Sequence, residues 1–249
     1  MMIILKTCSE IQKVKESSSL VAEFLGLVKN LIAPGIKLCD IEVLANEFIK
    51  NKRVLPAFKG YEGYPFSVCA SVNNIVVHGF PIDYELKDGD TVGIDFGVLK
   101  EGYYGDAART YKVGKVSDIA EKLLRVTEEC LYKGIEQAID GNTIGDISKA
   151  IQTHAEENGF TTSKSLIGHG IGRDLHEGPP VPNVVDISRY IPLKEGMTIA
   201  IEPIVFEGKS DVRLINEWEE VTADGKLSAH FEHTIAVRKD KAEILSLKE

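Results

Sequence analysis

Cysteine is scarce and scattered in this 249-residue chain: Cys8, Cys39, Cys69 and Cys130 form no C-x-x-C pair. That spacing argues against a disulfide framework and a structural zinc site, and it suits a reduced compartment. Positive charge is also in short supply, with 29 Lys and Arg against 38 Asp and Glu and a formal net charge of −9. A phosphate-binding surface needs clustered Lys and Arg, so neither nucleic acid nor an anionic membrane is an expected partner. Cationic and peptide substrates are compatible with this balance. No apolar run approaches the roughly 20 residues of a membrane span. The apolar start, residues 1–5, is too short for a secretory signal, and Lys6 interrupts it. A cytoplasmic location is expected. No low-complexity tract and no Pro-, Gly- or Ser-rich linker divides the chain.

Several common motifs are missing as well. Gly168 to Gly172 reads G-x-G-x-G rather than G-x-G-x-x-G, so no dinucleotide site is implied. Gly208-Lys209-Ser210 would need a glycine at 203 to form a phosphate loop, and Pro203 stands there. There is no G-x-S-x-G, and no Cys sits near a His as in a thiol protease. Hydrophobic content of 43% and charged content of 27% are ordinary for a globular protein, and this length can bury a full core without staples.

What the sequence does contain is a repetition. Leu86-Lys-Asp-Gly-Asp-Thr-Val-Gly-Ile-Asp95 returns as Leu193-Lys-Glu-Gly-Met-Thr-Ile-Ala-Ile-Glu202. Upstream, Gly35-x-x-Leu-x-Asp40-Ile41 is echoed by Gly141-x-x-Ile-x-Asp146-Ile147. The offsets are 107 and 106 residues, as the numbering shows. Self-similarity on this scale predicts two related halves, about 1–115 and 116–249, packed as a single domain. Each half delivers an acid at the same structural place.

Hydrophobic spacing predicts helices over about 9–32, 40–51, 117–140 and 144–158, the last opened by a capping signal at Thr143 and Asp146. Residues 59–66, rich in Gly and Tyr, read as a loop. Strands are expected at 75–77, 91–98, 103–113, 165–167, 197–206 and 230–237. Helix, helix, then antiparallel strands in each half gives an α+β fold.

A turn centred on Lys100-Glu101 sets Asp95 directly opposite Asp106; a register slid by two makes them diagonal neighbours on one face. Either way two carboxylates stand roughly 5 Å apart. Like charges that close need a proton or a cation between them. In the second half Glu202 aligns with Asp95, and Glu232 occupies the corresponding second strand. Any one of these acids alone reads as an edge or bulge residue, and an acid pair for general acid–base work is an intermediate reading. Four of them, in two related pairs, favour an oxygen cage for one or two divalent metals. Among six histidines, His169 sits in a glycine-rich loop and is the choice for a nitrogen ligand. His78 and His176 also end in places that face clefts. His154 and His230 take the ordinary structural reading, and His233 alternates away from Glu232.

The order Asp95, Asp106, His169, Glu202, Glu232 resembles the five metal ligands of the methionine aminopeptidases. The flanking strings Gly105-Asp106-Ala107, Gly168-His169-Gly170-Ile171-Gly172, Ile201-Glu202-Pro203 and Phe231-Glu232-His233-Thr234 are similar to that family too, over about residues 10–240. The short gap from Glu202 to Glu232 resembles type I members. The resemblance implies a pita-bread fold and removal of N-terminal methionine from nascent proteins and peptides. It implies two divalent ions, Mn²⁺, Fe²⁺, Co²⁺ or Zn²⁺, one held by Asp95, Asp106 and Glu232 and the other by Asp106, His169, Glu202 and Glu232. Glu202 would also shuttle the proton of the attacking water. His176 would donate to the substrate carbonyl, and His78 would contact the scissile amide. Tyr61, Tyr64, Cys69, Phe206 and Trp218 would line the methionine pocket, and Phe58 stands where many bacterial relatives carry Cys. The expected form is a monomer. A proline-directed peptidase of the same fold and a non-catalytic binding module are the rivals.

Overall fold

The structure, a computed structural model, describes residues 3–185 and 190–247. Met1 and Met2 of the apolar start lie outside the described residues. The first helix, α1 (Cys8–Leu31), opens on a capping box. The Glu10 N–H donates to Thr7 Oγ1 at 3.3 Å, and the Thr7 N–H donates to Glu10 Oε2 at 3.0 Å. Ile11, Val14, Val21, Phe24 and Val28 form its buried stripe. There follow α2 (Leu38–Lys52), β1 (Leu55–Pro56), β2 (Val68–Val72), β3 (Ile75–Val77), β4 (Thr91–Lys100) and β5 (Tyr103–Lys112). The expected loop at 59–66 holds one 3₁₀ turn, Tyr61–Gly63.

The second half runs α3 (Asp118–Glu136), α4 (Ile144–Glu157), β6 (Thr161–Thr162), β7 (Gly168–Gly170) and β8 (Glu177–Val181). It continues with β9 (Thr198–Ile201), β10 (Ile204–Phe206), β11 (Val212–Leu214) and β12 (Glu220–Thr222), then β13 (Ser228–His230), β14 (His233–Ala236) and β15 (Glu243–Ile244). The class is α+β, and every ladder between these strands is antiparallel. In the first half β2 and β5 flank β4, with β1 also pairing β4. In the second, the order is β15-β14-β9-β7-β8. Two small sheets complete the set, and one of them pairs β12 of the second half with β3 of the first.

The repetition seen in the sequence is a repetition of backbone bonding. Asp40 and Asp146 each cap a helix start, accepting the N–H of Lys37 at 3.2 Å and of Thr143 at 2.8 Å. Lys37 bridges Glu85, and Thr143 bridges Pro192 in the same antiparallel sense. The Leu86 N–H reaches Ile36 O at 2.8 Å, and the Leu193 N–H reaches Asn142 O at 2.7 Å. Gly35 and Gly141 have φ of 94° and 96°, a left-handed turn that other residues adopt only under strain.

Each half keeps its own core. In the first, Phe24, Phe48 and Phe96 meet between α1, α2 and β4, with Phe24 and Phe96 centroids 4.0 Å apart. In the second, Leu123, Val126, Ile147 and Ile151 from α3 and α4 pack on Ile199, Ile201 and Ile235. Truncating Phe96 to Ala would cost about 3–5 kcal/mol.

Several expected boundaries shift. Residues 165–167 form no strand: the Leu166 N–H turns back to Ser163 Oγ at 2.9 Å, and the strand starts at Gly168. The expected strand 197–206 breaks at Glu202-Pro203, where proline offers no N–H to a ladder. The expected strand 230–237 breaks at Phe231-Glu232, because the Glu232 N–H donates to Ala108 O at 2.9 Å instead. The helix expected to reach 140 ends at Glu136, and the Asp140 N–H is drawn to Arg238 O at 3.0 Å.

Candidate metal centre

The β4–β5 hairpin fixes the first pair of acids. Its turn is Glu101-Gly102, with φ of 49° and 79°, as a two-residue hairpin turn of this hand requires. The turn lies one residue later than Lys100-Glu101, so the register slides by two. Asp95 pairs with Ala108, and Asp106 pairs with Gly97. The two aspartates are therefore diagonal neighbours on one face, not directly opposed.

The second pair sits in gaps between strands. Glu202 follows β9, and Glu232 lies between β13 and β14. Two threonines pin these segments to β5. The Thr234 hydroxyl donates to Asp106 O at 2.7 Å, and the Thr110 hydroxyl donates to His230 O at 2.9 Å. His169 projects from β7, and its Nδ1 lies 2.9 Å from Gly170 O. That contact places the proton on Nδ1 and leaves Nε2 as a lone pair toward the acids.

Asp95, Asp106, His169, Glu202 and Glu232 all line one cavity of about 380 Å³. Ligand atoms of Asp106, His169 and Glu232 lie within 4.8 Å of one another. His169 Nε2 is 3.7 Å from Glu202 Oε1, and His230 Nε2 is 3.5 Å from Glu202 Oε2. Asp95 Oδ1, Asp106 Oδ1, Glu232 Oε1 and His230 Nε2 are buried without a hydrogen-bond partner. Unpaired buried oxygens of this number are costly unless something positive meets them.

The proton affinities say the same. Burial, together with the nearby Glu202, pushes Asp95 up to about 6, although His230 partly opposes this. Asp106 and Glu232 are held well above the ordinary carboxylate range by burial and then by neighbouring acids, Asp95 for the one and Asp106 for the other. Divalent cations fit this donor set of several carboxylate oxygens and one imidazole.

The same cavity gathers the other expected residues. His78, His176, Tyr61, Tyr64, Cys69 and Trp218 line it, as does Phe58. Tyr64 and Trp218 meet edge to face at 5.3 Å, and the Tyr64 hydroxyl donates to Gly79 O at 3.1 Å. Cys69 pairs with Asp95 across β2 and β4. His78, with φ of 56°, ends β3 in a left-handed conformation rare for residues other than glycine. Burial lowers the basicity of His78, and it lowers that of His176 to about 4 with help from His169. His176 Nδ1 is 2.9 Å from the Tyr61 hydroxyl, and its ring packs against His169 at 4.4 Å.

Phe206 departs from expectation. It is absent from the cavity lining and is buried behind it, with Val76, Val77 and Ile204. His230 was given an ordinary structural reading, yet it lines the cavity with an unpaired nitrogen. Its position two residues before Glu232 was the available signal, because that spacing shares a strand face. His154 and His233 do have structural partners, Glu129 Oε2 at 2.8 Å and Ser246 Oγ at 2.8 Å.

Residues 12–239 match metallopeptidase family M24. A methionine aminopeptidase of Clostridium perfringens is 49% identical over 99% of this chain and 99% of its own length. The crystal structure of a methionine aminopeptidase from Thermotoga maritima superposes with a TM-score of 0.96 at 45% identity, covering 99% of this chain and 100% of that one. A prolidase from Pyrococcus horikoshii, at 22% identity and a TM-score of 0.78, shares the pita-bread fold alone. With both halves delivering their acids to one cavity and full-length relatives at this level of identity, the chain belongs to metallopeptidase family M24, among the methionine aminopeptidases.

Proposed function

We propose that this chain removes the N-terminal methionine from peptides and nascent chains, acting in the cytoplasm as one catalytic unit of two halves. The observation that carries this reading is the convergence of unpaired acid oxygens from both halves beside an aromatic pocket. Asp95, Asp106 and Glu232 would hold one divalent ion, and Asp106, His169, Glu202 and Glu232 would hold a second. When bound, the ions supply Lewis acidity that brings the pKa of water toward neutrality.

The remaining work belongs to the side chains. Glu202 accepts the proton of the attacking water and passes it to the departing amine. The acidic cluster favours the substrate's cationic amino terminus, which fixes the site as an exopeptidase site. The Tyr61 hydroxyl lies 2.9 Å from His176 Nδ1, and in the tautomer where that hydroxyl donates, the proton sits on Nε2 to donate to the scissile carbonyl. His176, held neutral by its low basicity, offers that hydrogen bond at physiological pH. His78 meets the scissile amide from the end of β3. Tyr61, Tyr64, Cys69 and Trp218 surround the methionine side chain, whose polarisable thioether suits an aromatic, sulfur-bearing wall. Phe206 packs behind Val77, which lines the same cavity.

The test is hydrolysis of Met-Ala-Ser after anaerobic reconstitution with Mn²⁺, Fe²⁺, Co²⁺ or Zn²⁺, with X-Pro peptides in parallel. Chelator-sensitive release of methionine supports the reading. Cleavage of X-Pro peptides in preference points to the proline-directed rival, and metal uptake without any peptidase activity points to a binding module.

A further inference from the structure

The turn that presents His176 is tied from behind by a buried ion pair. Lys6 Nζ contacts Glu177 Oε2 directly, and both side chains are only 3% exposed. The other oxygen, Glu177 Oε1, accepts the N–H of Arg173 at 2.8 Å and of Asp174 at 3.3 Å. One carboxylate thus closes the turn 173–177 on one side and holds a lysine on the other.

Lys6 is itself anchored. Its N–H donates to Gly196 O at 2.8 Å, its ammonium also reaches Ile4 O at 3.2 Å, and neighbouring Ile3 bridges Gly178. The pair packs hard against the backbone at Gly172, two residues beyond the strand that carries His169. A Cβ added at Gly172 would lie 2.6 Å from Glu177 Oε1 and 2.6 Å from Lys6 Cε.

Stability alone does not account for this arrangement. Well-packed apolar residues of similar volume generally replace a buried ion pair without loss. What apolar residues cannot supply is an acceptor for the two N–H groups of the turn. The residue immediately before Glu177 is His176, whose imidazole must be placed to within a fraction of an ångström to meet a substrate oxygen.

We propose that Glu177 is a positioning residue for His176, with Lys6 as the counter-charge that lets a carboxylate serve in a dry place. This rests on the reading that His176 donates to the scissile carbonyl. The prediction concerns turnover rather than metal loading, because neither residue belongs to the ligand cluster.

The experiment compares Lys6→Met/Glu177→Leu with Lys6→Met/Glu177→Gln, each in the wild-type and His176→Ala backgrounds. Thermal unfolding, Co²⁺ titration and kcat and KM on Met-Ala-Ser are measured for each. The apolar pair should fold and bind Co²⁺ as wild type does, yet lose about 100-fold in kcat with KM little changed. The Gln variant keeps an acceptor for the turn and should recover most of that loss. In the His176→Ala background the apolar pair should cost nothing further. Wild-type kcat in the apolar pair, or an undiminished loss in the His176→Ala background, overturns the proposal. Should the apolar pair fail to fold, the milder Lys6→Met/Glu177→Thr pair, whose shorter side chain draws the acceptor away from the turn, decides by the same comparison of backgrounds. Wild-type turnover in His176→Ala alone would instead overturn the role given to His176.

Discussion

The two halves bring acids to matching places by different backbone routes. In the first, Asp95 and Asp106 ride one uninterrupted hairpin whose register is set by a two-residue turn. In the second, Glu202 and Glu232 stand where strands break. A side chain on a strand is aimed by its ladder, whereas one in a gap must be aimed by something else. Here that something is largely the other half. The Glu232 N–H goes to Ala108 O at 2.9 Å, and Thr110 and Thr234 tie β5 to His230 and Asp106 to β14. The first half is the platform, and the second half is held against it. The interrupted route leaves room between Pro203 and Ser228 for β11, β12 and Trp218, and Trp218 lines the cavity.

The sharpest way to break this comparison is to remove one acid from each half. Asp106→Asn and Glu232→Gln should each lower kcat/KM by at least about 10³-fold, or about 4 kcal/mol, with a matching loss of metal in calorimetric titration. If either variant stayed active, the halves would not be equal partners in the centre. The next effect belongs to the second half alone. His176→Ala should lose about 10²–10³-fold in kcat while binding metal normally. Loss of metal in that variant would move His176 into the ligand set.

Legibility followed how local the deciding interaction is. The repeat could be read because each copy carries its own chemistry: a glycine with positive φ, a capping aspartate, a buried leucine and a terminal acid. The α-helices are readable from their apolar stripes, such as Ile11, Val14, Phe24 and Val28 of α1, and the start of α4 also because Thr143 and Asp146 sit within one turn of each other. The hairpin register stays open between two alignments in the sequence because it depends on which residues of Lys100-Glu101-Gly102 take positive φ. The strand break at Phe231-Glu232 is not legible in the sequence because Glu232's hydrogen-bond partner lies in the other half, whereas the break at Glu202-Pro203 has a local signal in Pro203. Phe206 was assigned to the pocket by likeness. On β10, opposite Ser228, it turns instead toward Val76 and Val77.

The acids of the centre also predict a pH effect that separates the metal-free chain from the loaded one. Asp95, Asp106 and Glu232 bind protons more tightly folded than unfolded. Their contribution is therefore fully present below about pH 4, the unfolded range, and is lost as pH rises through the folded values, about 6 for Asp95 and well above the ordinary carboxylate range for the others. Each proton retained by the folded state costs about 1.4 kcal/mol per pH unit. His176 and His233, both pushed down to about 4 by burial, pull in the opposite sense. They do so with and without the ion, so the difference isolates the carboxylates. The rise in Tm on adding Mn²⁺ should widen between pH 5 and pH 7. A rise that shrank over this interval would mean that the acids are not the ligands.

The smallest effect tests the pins between the halves. Thr110 and Thr234 both sit at the junction, but they hold different things. Thr234 accepts the Asp106 N–H at 3.3 Å and donates to the Asp106 carbonyl at 2.7 Å, so it grips the backbone of a proposed ligand. Thr110 does the same for His230, at 3.0 and 2.9 Å. His230 stands beside Glu202 but outside the cluster formed by Asp106, His169 and Glu232. Replacing either threonine by valine keeps the shape and leaves two buried backbone groups unpaired, at about 1–3 kcal/mol. Stability should fall alike in the two variants. Metal affinity should not: Thr234→Val should weaken it by about tenfold, and Thr110→Val by much less. Equal losses of affinity would mean that the whole junction tunes the centre. Equal retention would mean that the β4–β5 hairpin alone suffices to aim Asp106.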